Sequence, residues 1–164
     1  MNLKNIKMTK TVKKQIKKKK KKLIGYTTGV FDLFHIGHLN LLRNAKSMCD
    51  KLIVGVTTNE LIRFYKHKEA VIPLRERMEI VRNIKYVNTV VQQNSMDKFE
   101  AWKKLKFDIM FVGDDWYGTK KWKEFEKQFK KVGVKIIYFP YTKGISSTLI
   151  NEILIGKREE LKNR

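Results

Sequence analysis

Apolar residues in this chain fall into short runs, and stretches of helical spacing separate the runs. Leu23 to Thr28 is an apolar and β-branched run ending at Gly29, the pattern of a first strand. Leu39, Leu42, Ala45 and Cys49 then recur at intervals of three and four, so a helix follows. Lys51 to Thr58 holds the sequence LIVGVTT, a second short strand. Strand, helix and strand within about 35 residues form a βαβ unit. The right-handed crossover rule makes its two strands parallel.

The alternation continues to the end of the chain. Asn59 to Tyr65 reads as a short helix and residues 66–72 as a polar loop. Pro73 suits the start of a helix carrying Met78, Val81 and Ile84 on one face. Val87 to Val91 reads as a strand, Asp97 to Leu105 as a helix and Asp108 to Val112 as a buried strand. Trp122 to Lys131 is helical and ends near Gly133, Lys135 to Phe139 is the last strand, and a helix follows Ser146. The sum is a doubly wound, Rossmann-like α/β domain with a parallel sheet. Ligands in such sheets bind beyond the carboxyl ends of the strands.

Composition changes this picture at the termini. Of 164 residues, 42% are hydrophobic, enough for one real core. The formal net charge is +21, and the first 22 residues hold eleven lysines and no acidic residue, which leaves +10 for the rest. One domain over residues 23–155 is expected, with a disordered lysine-rich tail over 1–22 and a basic tail over 156–164. The first tail could contact nucleic acid or an anionic surface; the alternative is plain solvation, since lysine is abundant throughout. No apolar run is long enough to cross a membrane, and no signal-peptide core is visible. Cys49 is the single cysteine and reads as a small core residue. These features point to a cytoplasmic setting.

The segment Gly29-Val-Phe-Asp-Leu-Phe-His-Ile-Gly-His38 carries the most chemistry. It places two histidines three apart where the first strand passes into the first helix. A helix N-terminus offers unpaired N–H groups to a phosphate, and imidazole N–H groups add further donors. The glycine lets a phosphate approach the backbone. His67 is the remaining histidine and no cysteine pair exists, so a zinc site is not expected and no protein metal site is assigned.

With this segment in place, the chain resembles the HxGH-type nucleotidyltransferases, and within them the cytidylyltransferases that act on glycerol 3-phosphate. The resemblance runs from about Leu23 to Ile153. Pro73-Leu-Arg-Glu-Arg77, Gly113-Asp-Asp-Trp-Tyr-Gly118 and Tyr141-Thr-Lys-Gly-Ile-Ser-Ser147 are similar to three further motifs of that family. The resemblance implies attack by a substrate phosphate on the α-phosphorus of CTP, with Mg²⁺ accompanying the triphosphate. The acceptor would be a small phosphorylated alcohol, and the assembly a homodimer.

It also implies roles. His35, His38, Lys68 and Ser146 would be catalytic. Gly29, Val30, Phe31, Arg77, Asp115, Trp116, Tyr141 and Thr142 would join them in binding the nucleotide. Gly144, Ile145, Ser146, Ser147 and Thr148 would form a phosphate cradle at the start of the last helix. Lys66 and Lys98 would bind the acceptor, and Asp32 would organise the loop or partner a metal indirectly. The sequence departs from the family where Tyr141, Lys85 and Asn88 replace arginine, arginine and aspartate, and where Ser147 replaces threonine. Tyrosine cannot make an arginine's forked phosphate contact, so Lys143 or Lys85 would have to supply charge. Two other readings remain open: an ATP-using adenylyltransferase of the same fold, FAD-synthase-like, and a non-enzymatic basic nucleic-acid-binding module.

Overall fold

The computed structural model describes residues 21–162. The expected tail over 1–22 lies outside these residues except for Lys21 and Lys22. Strands β1 (Ile24–Gly29), β2 (Lys51–Thr57), β3 (Thr89–Gln93), β4 (Ile109–Gly113) and β5 (Lys135–Phe139) form one parallel sheet in the order β3-β2-β1-β4-β5. The chain winds outward from β1 to β2 and β3, then returns to place β4 on its other side. The switch point therefore lies between the carboxyl ends of β1 and β4.

Strand alternation divides the core into two layers. Leu52, Val54 and Val56 of β2 face one side, where they meet Leu42, Ala45, Val81 and Phe111. Ile53 faces the other, with Tyr26, Met110, Phe125 and Phe129. Helices α1 (Ile36–Ser47) and α3 (Leu74–Arg82) cover the first layer, and α4 (Lys98–Leu105) and α5 (Lys120–Lys131) the second. The short helix α2 (Asn59–Lys66) follows β2, and α6 (Ser147–Lys162) closes the described chain. Each fully buried Leu, Phe or Val contributes about 1.5–3 kcal/mol by leaving water. Side-chain caps set the helix starts: Thr58 accepts from Leu61 N, Asp97 from Phe99 N and Glu100 N, and Thr119 from Trp122 N.

Several boundaries differ from the sequence reading for identifiable reasons. β3 begins at Thr89 rather than Val87, because the Asn88 side chain, not its backbone, accepts from Leu52 N at 2.8 Å. Cys49 lies in the turn after α1, half-buried against Gly25, where an added Cβ would stand 2.7 Å from its sulfur. Of the expected basic C-terminal tail over 156–164, the described part is helical as the end of α6, which runs to Lys162. Among the described residues no helix is long and apolar enough to cross a membrane.

Candidate active site

The loop between β1 and α1 is held in an unusual shape. Phe31 and Leu33 have positive φ, at 54° and 45°, the left-handed region that costs an ordinary side chain about 1 kcal/mol or more. Asp32 holds them there. Its carboxylate accepts from Val71 N at 2.8 Å and Ile72 N at 2.9 Å, and its carbonyl accepts from the Ser147 hydroxyl at 2.5 Å. One residue thus ties three segments around a cleft of about 1040 Å³ at the switch point. Both Asp32 carboxylate oxygens are engaged, so its role is to organise the loop.

His35 and His38 line this cleft. His35 is the N-cap of α1, and its Nδ1 accepts from Gly37 N at 3.1 Å. His38 Nδ1 accepts from His35 N at 3.3 Å, and the two rings stack with centroids 4.0 Å apart. A nitrogen that accepts carries no proton, so each neutral ring holds its proton on Nε2. No protein acceptor meets either Nε2 among the described residues. Burial lowers the pKa of His35. Burial, then the neighbouring His35, pushes His38 down to about 3, against the opposing pull of Asp32. Both rings are therefore neutral N–H donors near neutral pH. Gly37 earns its place here for a reason the sequence reading did not give: a Cβ on it would stand 2.8 Å from the His35 ring.

A second helix start faces the same cleft. Ser146 caps α6, its Oγ accepting from Leu149 N at 3.0 Å, and the first turn of α6 carries no acidic residue. Ile145, Ser146, Ser147 and Thr148 line the cleft, and Gly144 supplies the turn before them with φ of 81°. Thr142 accepts from Asn40 Nδ2 at 3.3 Å, which fastens this loop to α1. Tyr141 is exposed at the rim, its N–H on Asp114 Oδ1 at 3.2 Å. Lys66, Lys68, Val30 and Asp115 complete the wall. Burial raises the Asp115 pKa and Asp114 adds to this, while Lys66 opposes it, so Lys66 and Asp115 share one electrostatic neighbourhood.

Other residues expected at the site lie elsewhere. Arg77 is fully buried, and its guanidinium donates to Val30 O, Thr57 O, Ile72 O and Asn59 Oδ1 at 2.6–2.9 Å. With these donors engaged it braces the segments beneath the cleft and does not line it, unlike the position expected for a phosphate contact. Phe31 is also buried, its ring 5.3 Å from that of His38, and Gly29 packs beneath it. Trp116 lies in a 3₁₀ turn (Asp114–Trp116), two-fifths exposed and outside the cleft lining. Lys98 begins α4, buried and away from the cleft lining; burial and nearby Lys121 lower its pKa to about 7. Lys143 is exposed beside the lining residue Thr142 without lining the cleft itself, and Lys85 sits before β3 at the opposite end of the sheet.

The sequence reading missed Asn40, Arg43 and Asn44, which α1 presents to the cleft. Their signal was present as a polar stripe at positions i, i+3 and i+4 on the helix that opens with His35. Arg43 brings a guanidinium to the wall, and its Nη2 donates to Asn40 at 2.9 Å. Gly113 was missed as well: a Cβ there would stand 2.5 Å from Asp115 Oδ1, so the glycine makes room for that carboxylate.

A doubly wound sheet with paired neutral imidazoles at one helix start and a hydroxyl-rich second helix start across the cleft defines a nucleotidyltransferase. Comparison with known proteins agrees, since the cytidylyltransferase-like family model matches residues 26–153. The chain belongs to the cytidylyltransferase-like family. A glycerol-3-phosphate cytidylyltransferase of Staphylococcus aureus is 36% identical over 80% of this chain and 94% of its own length. One from Bacillus spizizenii is 39% identical over 80% and 95%. An FAD synthase of Thermococcus kodakarensis is 32% identical over 77% and 85%. The solved structure of a lipopolysaccharide core biosynthesis protein from Thermoplasma volcanium shares the fold, with a TM-score of 0.62 at 24% identity, covering 76% of this chain and 99% of that one.

Proposed function

We propose that the chain transfers CMP from CTP to a small phosphorylated alcohol, with glycerol 3-phosphate as acceptor, releasing pyrophosphate. The observation that carries this is the pair of neutral imidazoles with unengaged Nε2–H groups at the cleft. In the reaction an acceptor phosphate oxygen forms a bond to the α-phosphorus. The bond from that phosphorus to the bridging oxygen breaks, and its electrons leave with pyrophosphate. No proton has to pass through the protein. Its task is to hold both phosphates in line and to meet charge on the transferring group.

His35 and His38 donate to the α-phosphate, where charge grows in the transition state. The N–H groups and hydroxyls of residues 145–148 hold the triphosphate, with Lys68 and Arg43 as further cations in the cleft wall. Lys66, which lines the cleft, would bind the acceptor phosphate. Mg²⁺ fits as an ion carried by the triphosphate: among the described residues no three His, Cys, Asp or Glu side chains converge, and Asp115 and Glu152 are carboxylates of the cleft wall outside the ion pairs. It would neutralise the departing pyrophosphate.

The test is pyrophosphate release across a panel of nucleotides and phospho-alcohols. The expected pair is CTP with glycerol 3-phosphate. The similarity to FAD synthases favours a second reading, adenylyl transfer from ATP to a flavin mononucleotide. Turnover of ATP with that acceptor, and none of CTP with any phospho-alcohol, would replace the first reading by the second.

A further inference from the structure

The end of the sheet opposite the cleft is a plane of lysines. Register puts Ile24 of β1 beside Lys51 of β2, and Ile109 of β4 beside Lys135 of β5. Lys22, Lys51 and Lys135 therefore stand along one edge, spread over about 15 Å at the usual strand spacing. Lys85, Lys106 and Lys131 join them where chain segments turn into β3, β4 and β5, and all six side chains are exposed. The acidic groups here are already engaged. Asp108 pairs with Lys21 at 2.5 Å and accepts from Ile24 N, and Asp50 accepts from Leu23 N at 2.7 Å. Arg82, ending α3 nearby, is paired with Glu79. Lys21 and Lys22, the described end of the lysine-rich segment, enter the domain at this same pole.

We propose that this pole docks on an anionic lipid bilayer, leaving the cleft open to solvent on the far side. Three features favour a bilayer over nucleic acid. The charges lie in a plane fixed by strand register rather than in a groove. The aromatic rings at the pole, Tyr86 and Trp102, are half-buried, and Lys85 and Lys106 lie 5.2 and 4.3 Å from their centroids, so they offer no stacking platform for bases. The strand-edge cations are lysines, hydrated point charges suited to a diffuse anionic surface rather than to forked recognition of single phosphates.

The test is co-sedimentation of the full chain with vesicles of phosphatidylcholine alone and of phosphatidylcholine mixed with phosphatidylglycerol. Binding is expected only to the mixed vesicles and is expected to fall at high salt. Each lysine near the surface strengthens partitioning about fivefold, so the triple variant Lys22→Gln, Lys51→Gln, Lys135→Gln should bind about a hundredfold more weakly. Lys85→Gln combined with Lys131→Gln should lose about twenty-fivefold by the same arithmetic. Circular dichroism checks that each variant folds, and the second set serves if the first does not. Undiminished partitioning in a folded variant would overturn the proposal. So would release from vesicles by duplex DNA at equal phosphate concentration, which would reassign the pole to nucleic acid.

Discussion

Arg77 donates four hydrogen bonds that join the end of β1, the end of β2 and the loop before α3. Removing it leaves three carbonyls without these donors, that of Thr57 buried and those of Val30 and Ile72 part-buried, each at a cost. Arg77→Met should therefore lower stability by about 3 kcal/mol or more, read as a fall in melting temperature. A variant of unchanged melting temperature with weaker CTP binding would restore the phosphate-contact role instead. His38 makes a second residue-scale prediction. Its folded pKa of about 3 lies below the ordinary value of 6.5, so between these the unfolded chain binds the extra proton. This site's stability is complete above pH 6.5 and is lost as pH falls towards 3, by up to about 1.4 kcal/mol per pH unit. Denaturant titrations should show that slope in the wild type and a shallower one in His38→Gln. Equal slopes would place the His38 proton affinity elsewhere. Tyr141 is exposed at the cleft rim while its backbone is held by Asp114, so an arginine has room there. Tyr141→Arg should tighten CTP binding by about 1–2 kcal/mol through charge-assisted bonds, measured by calorimetry. Unchanged or weaker binding with intact folding would indicate a pocket shaped around the tyrosine.

At the scale of elements, the start of α1 is where sequence and site meet. Gly37→Ala would push its methyl to 2.8 Å from the His35 ring and displace the Nδ1 cap. Loss of a cap costs about 1 kcal/mol, and turnover should fall further than stability because the ring leaves its place. An alanine variant with full turnover would show that the ring tolerates the shift. The elements themselves were legible, since strands such as LIVGVTT and helices such as α5 carry clean periodicity. The motif residues that converge on the cleft were legible too, because they follow strand ends. What escaped was set by partners distant in sequence. Asn88 replaces a backbone acceptor, Arg77 finds carbonyls from 5 to 47 residues away, and Trp116 falls outside a cleft that its neighbour Asp115 lines. Spacing along the chain carries no sign of which side of the cleft wall a residue takes. The polar stripe of Asn40, Arg43 and Asn44 was readable but looks the same as a solvated helix face.

The molecule as a whole places its two special ends apart. The cleft lies at the carboxyl ends of the strands and the lysine plane at their starts, a division that a parallel sheet imposes once every strand points one way. A net charge of +21 suits both the proposed docking pole and the proposed reaction, in which the cleft would gather two phosphorylated substrates. In the proposed reaction the imidazole pair holds its N–H groups ready for charge that appears only during transfer. The direct measurement is steady-state turnover of His38→Ala with CTP and glycerol 3-phosphate, beside CTP affinity by calorimetry. A fall in kcat of about a hundredfold or more is expected, with CTP affinity changed far less. Near-normal turnover in a folded variant would contradict it.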